Sequence, residues 1–518
     1  MNQESSDDVA TIIKQVQEKG VRLWQVDGEL RYRAPAGSLA GEDIQRLKEF
    51  RQQIITFLQR GAPAPGAFDQ ASLVAEGLAP LAPSQQAYLN YYRLHGPLYE
   101  NRSVRLVASA MRLHGSIDAD AFQKSVAAMI QRHEALRVRV VFQEGVFYQG
   151  VNDASACSFK VLDLTRTSPD AIASRIQAII DETILEPIDV AVGPLSAIRL
   201  IELGPGERVL FVAMDHLIAD GTSIRILMRD LLTTYLQTSK GRASLPPLQM
   251  QILDYARWRA AHRKQWMALH GKFWHERLAG ARRVGFPEDA DAPIEAQGWG
   301  RIPVTIGRSL KNELRDWCRT RRTTLVMSVL TAYAAVVLRW CNASECVFQY
   351  VSNGRAHAAV ENAIGCFASP LQIRIQLDAD ETFGSLMERV TEEYCLAYEH
   401  QDFSYITSGM PRTGFIANSS FNWTPLGSPL DVSDFGGERD ALRCSPVTFV
   451  NPVLSRLALD TEPGIQLHDA GAEVHGHVFF PLNRFTPATM DRFSQNLLSF
   501  LKLLVSEPDR CVTEVPII

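Results

Sequence analysis

The sequence predicts an α/β protein, with a small N-terminal α/β unit followed by two α/β lobes of roughly 200 residues each. Three observations lead there. The 518-residue chain is 46% hydrophobic and 21% charged, the balance of an ordinary folded protein with chain enough for more than one core. The stretch Gly61-Ala62-Pro63-Ala64-Pro65-Gly66-Ala67 reads as a linker that sets the first 60 residues apart. From about Leu78 to the end, segments of helical and of strand character alternate, with no internal repeat.

Taken in order, Ile12, Ile13 and Val16 suggest a short amphipathic helix closed by Gly20. Residues 21–26 and 29–33 read as two strands. Asp27-Gly28 between them is a two-residue hairpin signal, because glycine tolerates the positive φ of a type I′ turn. Ile44, Leu47, Ile54, Ile55 and Leu58 carry one or two further helices. This gives a unit over 1–60, a linker over 61–77, and lobes over 78–260 and 261–518. In the lobes, Phe122, Val126, Met129 and Ile130 place a helix over 120–130, and 136–141 with 146–150 read as paired strands. Helices follow over 172–184, 322–340 and 485–506, with a polar, proline-containing connector near 242–250.

Composition narrows the function. A net charge of -5 provides no basic field, so no nucleic-acid partner is expected. The start, Met1-Asn2-Gln3-Glu4-Ser5-Ser6-Asp7-Asp8, is acidic and polar and unlike a secretory leader, and no apolar run approaches a membrane span. A cytoplasmic protein without a membrane partner is the expectation. The eight cysteines form no CxxC pair and read as reduced thiols. His475-Gly476-His477 offers two ligands on one strand face but no third, so these read as strand residues and no metal is expected.

The chemistry lies where residues 209–214, VLFVAM, run apolar without a break, as a strand buried on both faces does. Asp215-His216-Leu217-Ile218-Ala219-Asp220-Gly221 follows at once. Then Ile224, Leu227, Met228, Leu231, Leu232 and Tyr235 mark a buried helix. A histidine on a tight loop between two buried elements is held as a catalytic ring must be. A neutral imidazole accepts a proton near neutral pH. Asp220, four residues on, is too close in sequence to be assumed a relay partner; anchoring the loop through an arginine is the other role open to it. Gly221 permits backbone geometry that a side chain would block. Alone, this pattern fits a structural histidine as well as a catalytic one. No GxSxG elbow, phosphate loop or HExxH helix is present, so a covalent serine or cysteine nucleophile lacks support.

Residues 214–223 resemble the HHxxxDGxS motif of condensation domains from nonribosomal peptide synthetases, members of the chloramphenicol acetyltransferase-like superfamily. The resemblance extends over nearly all of 78–518 through motifs in order. Pro80-Leu81-Ala82-Pro83-Ser84-Gln85 resembles the opening motif. Arg132-His133-Glu134-Ala135-Leu136-Arg137 resembles RHExLR, and Pro187-Ile188-Asp189 with Gly193-Pro194-Leu195 the element upstream of the histidine. Asp254-Tyr255-Ala256-Arg257-Trp258 is similar to DYAxW, Gly354-Arg355 and Ile364-Gly365-Cys366-Phe367 to the later GR and IGxF motifs, and His400-Gln401-Asp402-Phe403-Ser404 to HQDxP. Two departures stand out: Asp215 replaces the family's first histidine, and Phe367-Ala368-Ser369-Pro370 replaces FVNT.

The resemblance implies two chloramphenicol acetyltransferase-like lobes in a V shape, with His216 in a tunnel at their junction. It implies no bound cofactor. An acyl thioester would enter on the phosphopantetheine arm of an acyl or peptidyl carrier protein, and a small-molecule amine or hydroxyl acceptor from the other side. His216 would deprotonate or orient the acceptor, backbone N–H groups around Gly221 would meet the oxyanion, and Asp220 would pair with Arg355. Asp215 would bear on the acceptor side or on the basicity of its neighbour. Asn422 fits either tunnel lining or packing.

Residues 8–60 resemble the β-hairpin docking domains of synthetase subunits, which imply capture of an acidic C-terminal tail from an upstream synthase subunit. Arg22, Arg31 and Arg33 on the hairpin, with Lys14, Lys19, Arg46, Lys48 and Arg51 around it, suit such a tail. The end near residues 512–516 resembles a condensation-domain terminus with no adenylation or carrier segment beyond it. The expectation is a free-standing enzyme of chain release, forming an ester or amide in trans in polyketide or nonribosomal peptide biosynthesis. Peptide-bond formation between two carrier-bound aminoacyl groups is the alternative within that class, and a non-catalytic recruitment platform the alternative outside it.

Overall fold

A computed structural model describes residues 12, 22–26, 29–33, 39–54, 77–94, 107–143, 146–152, 157–238, 245–282, 284–293, 295–296, 298–402, 419–424, 442–451, 462–469 and 471–517. They fall into two units. One comprises Met1–Ser72 with Arg355–Glu361, the other Leu73–Gly354 with Asn362–Ile518.

In the first unit, strands β1 (Arg22–Val26) and β2 (Glu29–Arg33) pair antiparallel, with Val26 opposite Glu29. That register leaves two residues for the connection, as Asp27-Gly28 predicts, although 27–28 themselves lie outside the described residues. Helix α1 (Gly41–Glu49) buries Leu47, and Ile54 beyond it is fully buried. Of the helix expected over 12–20, only Ile12 is described, and it is buried. Of the expected linker over 61–77, only Gly77 is described.

Among the described residues, the second unit has two large sheets and one small one. Its strands and longer helices, in chain order, are β3 (Ala79–Pro80), α2 (Pro83–Leu94), β4 (Val107–His114), α3 (Ala119–Arg132), β5 (Val138–Gln143), β6 (Val146–Val151), β7 (Ser158–Asp163), α4 (Pro169–Leu185), β8 (Ser196–Gly204), β9 (Glu207–Met214), α5 (Gly221–Thr238) and α6 (Ile252–Ala261). There follow β10 (Trp299–Ile306), α7 (Arg308–Thr320), α8 (Leu325–Trp340), β11 (Glu345–Ser352), β12 (Ser369–Gln376), α9 (Phe383–Glu399), β13 (Ser419–Thr424), β14 (Arg443–Pro446), β15 (Gly464–Asp469), β16 (Val474–Pro481) and α10 (Pro487–Ser506). A five-stranded sheet has the order β14-β4-β9-β8-β7 and a six-stranded sheet β10-β16-β15-β13-β11-β12, with β3-β6-β5 apart. The five-stranded sheet takes β14 from late in the chain, and β14 pairs antiparallel with β4.

The apolar run 209–214 forms the last six residues of β9, flanked by β4 and β8, and every one of them is fully buried. With neighbours on both edges and cover on both faces it has no solvent side, which is why its sequence does not alternate. Helix α8 is apolar all round and is buried from Met327 to Leu338. It starts later than the periodicity suggests, at 325 rather than 322, because Arg322 takes a left-handed φ of 55° and the Thr324 hydroxyl caps Met327 N–H. The strand expected from 136 likewise starts at Val138, since Glu134–Arg137 close a 3-10 turn first. Among the described residues no single helix is long and apolar enough to cross a membrane.

The RHExLR-like segment serves this architecture. His133 at the end of α3 is fully buried, and its Nε2 lies 3.1 Å from the carboxylate of Asp230 on α5. Arg132 Nε reaches the same oxygen at 3.2 Å, and Arg229 Nη2 the other at 2.7 Å. Burial lowers the His133 pKa. Burial works to raise Asp230, but the hydrogen bond from His133 and the charge of Arg229 outweigh it and hold the carboxyl low. Both groups make stability fall with acid. The unfolded His133 takes a proton below about pH 6.5, which the folded one resists, and Asp230 gives up its contribution as pH falls through its depressed value. Asp230→Ala is expected to cost about 3 kcal/mol in urea unfolding. That is the low end for breaking a buried ion pair, because Arg229 reaches solvent.

Candidate active site

Strand β9 delivers the chain into the interior, and α5 carries it away from Gly221. The loop between them is fixed at every turn. Asp215 donates its N–H to Leu195 O at 2.8 Å, and its Oδ1 accepts from Leu217 N at 2.8 Å. This fully buried carboxylate therefore shapes its own loop. Gln85, on the first turn of α2, donates from Nε2 to Leu217 O at 2.7 Å and to Gln149 Oε1 at 2.9 Å, which ties the loop to β6.

Asp220 is buried, and both of its oxygens are used. Oδ1 accepts from Ser223 N at 2.8 Å and Ser223 Oγ at 2.9 Å. Oδ2 accepts from Phe367 N and Ala368 N, each at 3.1 Å. Ser223 Oγ also meets Gly365, sharing its one hydrogen between Asp220 Oδ1 and Gly365 O, the latter at 2.9 Å, and accepting from Gly365 N at 3.1 Å. The histidine loop is thus stapled to residues 365–368, which lead directly into β12 of the six-stranded sheet. The two glycines of the later motifs make room for that staple. Gly354 has φ +64°, and a Cβ there would lie 1.7 Å from Phe367 O. A Cβ on Gly365 would lie 2.6 Å from Ile252 Cδ1. Gly221 is different. A Cβ there would meet no atom within 4 Å, so open space lies beside the start of α5.

His216 is half-buried, its Nε2 2.8 Å from the Tyr88 hydroxyl and its Nδ1 4.0 Å from Cys366 Sγ. Desolvation lowers its pKa, against the opposing charge of Asp220 and hydrogen bonds to the carbonyls of His216 and Ala219. The ring is accordingly neutral at neutral pH and able to accept a proton. The oxyanion donors expected around Gly221 are reduced by one, since Ser223 N is committed to Asp220.

The remaining motifs converge nearby. Arg259 on α6 pairs with Asp402 at 3.3 Å, and Gln401 accepts from Ser352 Oγ at 2.7 Å. Ser84, Tyr255, Arg259, Phe367, Gln401 and Asp402 line a small pocket behind the staple. Asn422 lies half-buried on β13 opposite Gln466 of β15. Arg355 belongs to the segment that groups with the first unit. Arg22, Arg31 and Arg33 lie on β1 and β2, but their side chains are outside the described residues. Phe403 and Ser404 of the HQDxP-like element are also outside them. His475 and His477 sit on β16, where burial, then Arg301 and His468, bring His477 down to about 4. No cluster of three or more metal-ligating side chains occurs among the described residues.

Tyr88 and the 365–368 backbone are the partners that sequence reading missed. Gln85 and Tyr88 are three apart on α2 and so share a face, which is legible, but nothing local says what that face meets.

Residues 75–407 match the family model for the condensation domain, and residues 9–60 that for the TubC N-terminal docking domain. The enniatin synthase of Fusarium equiseti is 26% identical over 454 residues, 84% of this chain. The phosphinothricin tripeptide synthetase PhsC of Streptomyces viridochromogenes is 27% identical over 436 residues, 81% of this chain. This chain spans only 14% of the first relative's length and 39% of the second's. The crystal structure of the X-domain from teicoplanin biosynthesis superposes with a TM-score of 0.69 at 20% identity, over 86% of this chain and 99% of that one. The SgcC5 protein of Streptomyces globisporus does so at 0.67 and 22%, over 83% and 100%. At these identities the structural likeness is one of fold.

Proposed function

This chain belongs to the condensation-domain family, and from that premise we propose that it is an acyltransferase joining a carrier-bound acyl thioester to an amine or hydroxyl acceptor. The observation that carries this reading is His216, its pKa lowered by burial, on a loop stapled through Asp220 with open space at Gly221. The acceptor's O–H or N–H gives its proton to the imidazole as the heteroatom attacks the thioester carbonyl carbon. The tetrahedral intermediate then collapses, the C–S bond breaks, and the leaving thiolate takes the proton back. The acyl group arrives on the phosphopantetheine arm of an acyl or peptidyl carrier protein, and the protein itself holds no cofactor. Asp215, Asp220 and Gly221 shape the site without entering the reaction, and Arg355 joins them by the family's pattern. Chain release to a soluble acceptor in trans is the finer reading. Peptide-bond formation between two carrier-bound aminoacyl groups is the alternative outcome. Incubating the protein with an acyl-loaded carrier and separate amine, alcohol and aminoacyl-carrier acceptors, followed by intact-protein mass spectrometry, decides among them. No transfer to any acceptor would leave the recruitment-platform reading in its place.

The match of residues 9–60 to a docking domain supports a carrier-bearing partner, and the cations Arg22, Arg31 and Arg33 suit an acidic tail on it. Replacing all three with glutamate is expected to raise KM for the native carrier by about 10-fold or more at low salt. Transfer from a small pantetheine thioester should be unchanged. Equal effects on both donors would remove docking from the proposal.

A further inference from the structure

The Asp220 carboxylate accepts from Ser223, Phe367 and Ala368, and the carbonyls of His216 and Ala219 meet the His216 ring, which leaves open what holds the face of that ring. Two polar side chains face that ring among the described residues. One is Cys366, whose sulfur is 4.0 Å from Nδ1 and too weak a partner to fix an imidazole. The other is Tyr88, whose hydroxyl is 2.8 Å from Nε2 and whose ring is stacked on the imidazole, with centroids 3.9 Å apart and planes 21° apart. We propose that Tyr88 is the positioning residue of this site, its ring setting the plane of the imidazole and its hydroxyl bracing Nε2. This rests on the reading of His216 as the proton acceptor.

The helix that carries Tyr88 is itself anchored to the loop it steadies. Gln85, one turn earlier on the same face of α2, grips Leu217 O, and Ser84 Oγ donates to Ala368 O at 2.8 Å. Residues 84, 85 and 88 therefore lock α2 at once to the histidine loop and to the segment stapled by Asp220. The stacking also settles how the hydroxyl approaches. Because the rings are nearly parallel, it reaches Nε2 from over the face of the imidazole. The nitrogen lone pair lies in the ring plane, so that direction stays available to an acceptor.

Three measurements test this. Tyr88→Leu gives up stack and hydroxyl and is expected to lower kcat by about 10- to 100-fold, the scale of a misoriented catalytic group. Tyr88→Phe keeps the stack and should lose only about 3-fold, with the kcat/KM–pH profile unmoved, because a hydroxyl over the ring face makes no hydrogen bond to the in-plane lone pair. The His216 ring is then followed by NMR in histidine-labelled protein without substrate, where Tyr88→Phe should leave its signals sharp and shift them only slightly, and Tyr88→Leu should broaden them. Equal rates and unchanged spectra in both variants would make Tyr88 a packing residue and overturn the proposal. So would a Tyr88→Phe enzyme as slow as one without His216, since the hydroxyl would then be carrying the proton itself. If the spectra move as expected while His216→Ala stays active, Tyr88 still positions the ring and it is the acyltransfer reading of His216 that has failed.

Discussion

His216→Ala is expected to lower acyl transfer by about 10²- to 10⁴-fold with little change in carrier affinity, since general-base assistance is lost and the binding surfaces are not. The ring stands on a loop fixed by Gln85 through Leu217 and by Asp220 through residues 367–368, so removing it empties a rigid site without collapsing it. The pH dependence of the wild-type enzyme gives a second reading of the same group. Burial holds His216 below the ordinary histidine value, so the neutral form persists into mildly acidic solution. Activity should be flat through neutral pH and fall only as pH drops through that lowered value. A rising limb above about 6.5 would point to a different base. Transfer by His216→Ala at the wild-type rate, with carrier binding intact, would remove the catalytic assignment.

Much of this arrangement is written locally in the chain, and the rest cannot be. The 209–214 run announces a strand with no solvent face, and Asp27-Gly28 announces a hairpin, because burial and positive φ each act within a few residues. The start of α8 is less legible: the apolar period continues back past Thr324, and a hydroxyl cap with one left-handed residue overrides it. Strand β14 is not legible at all, because its pairing with β4 joins segments more than three hundred residues apart. The same holds at the site. Asp220 is conspicuous for its four-residue distance from His216, yet Oδ2 spends its hydrogen bonds 147 and 148 residues away. Tyr88 reaches His216 across 128 residues. Spacing identifies which residues are unusual, and only the packing of the sheets says what each one holds.

Asp220→Ala is the substitution expected to damage fold and chemistry together. It strips acceptors from Ser223 N, Phe367 N and Ala368 N, all in a buried setting where each unsatisfied donor costs about 1–3 kcal/mol. Ser223 Oγ keeps Gly365 O, so the losses do not simply add, and about 3–5 kcal/mol in urea unfolding is the expectation. Asp220→Asn is hardly milder. The two oxygens serve opposite sides of the staple, so whichever side keeps the amide oxygen, the NH₂ group confronts N–H donors on the other. Ser223→Ala removes one hydroxyl and leaves its N–H bond to Asp220, and should rank well below both. The charge adds a separate signature. Asp220 raises the His216 pKa, so neutralising it should move the acidic limb of the activity profile to lower pH while the plateau falls. A variant that unfolds like the wild type but has lost kcat would show that Asp220 acts on the imidazolium itself. Parallel loss of stability and rate, graded from alanine through asparagine to Ser223→Ala, is what a staple requires.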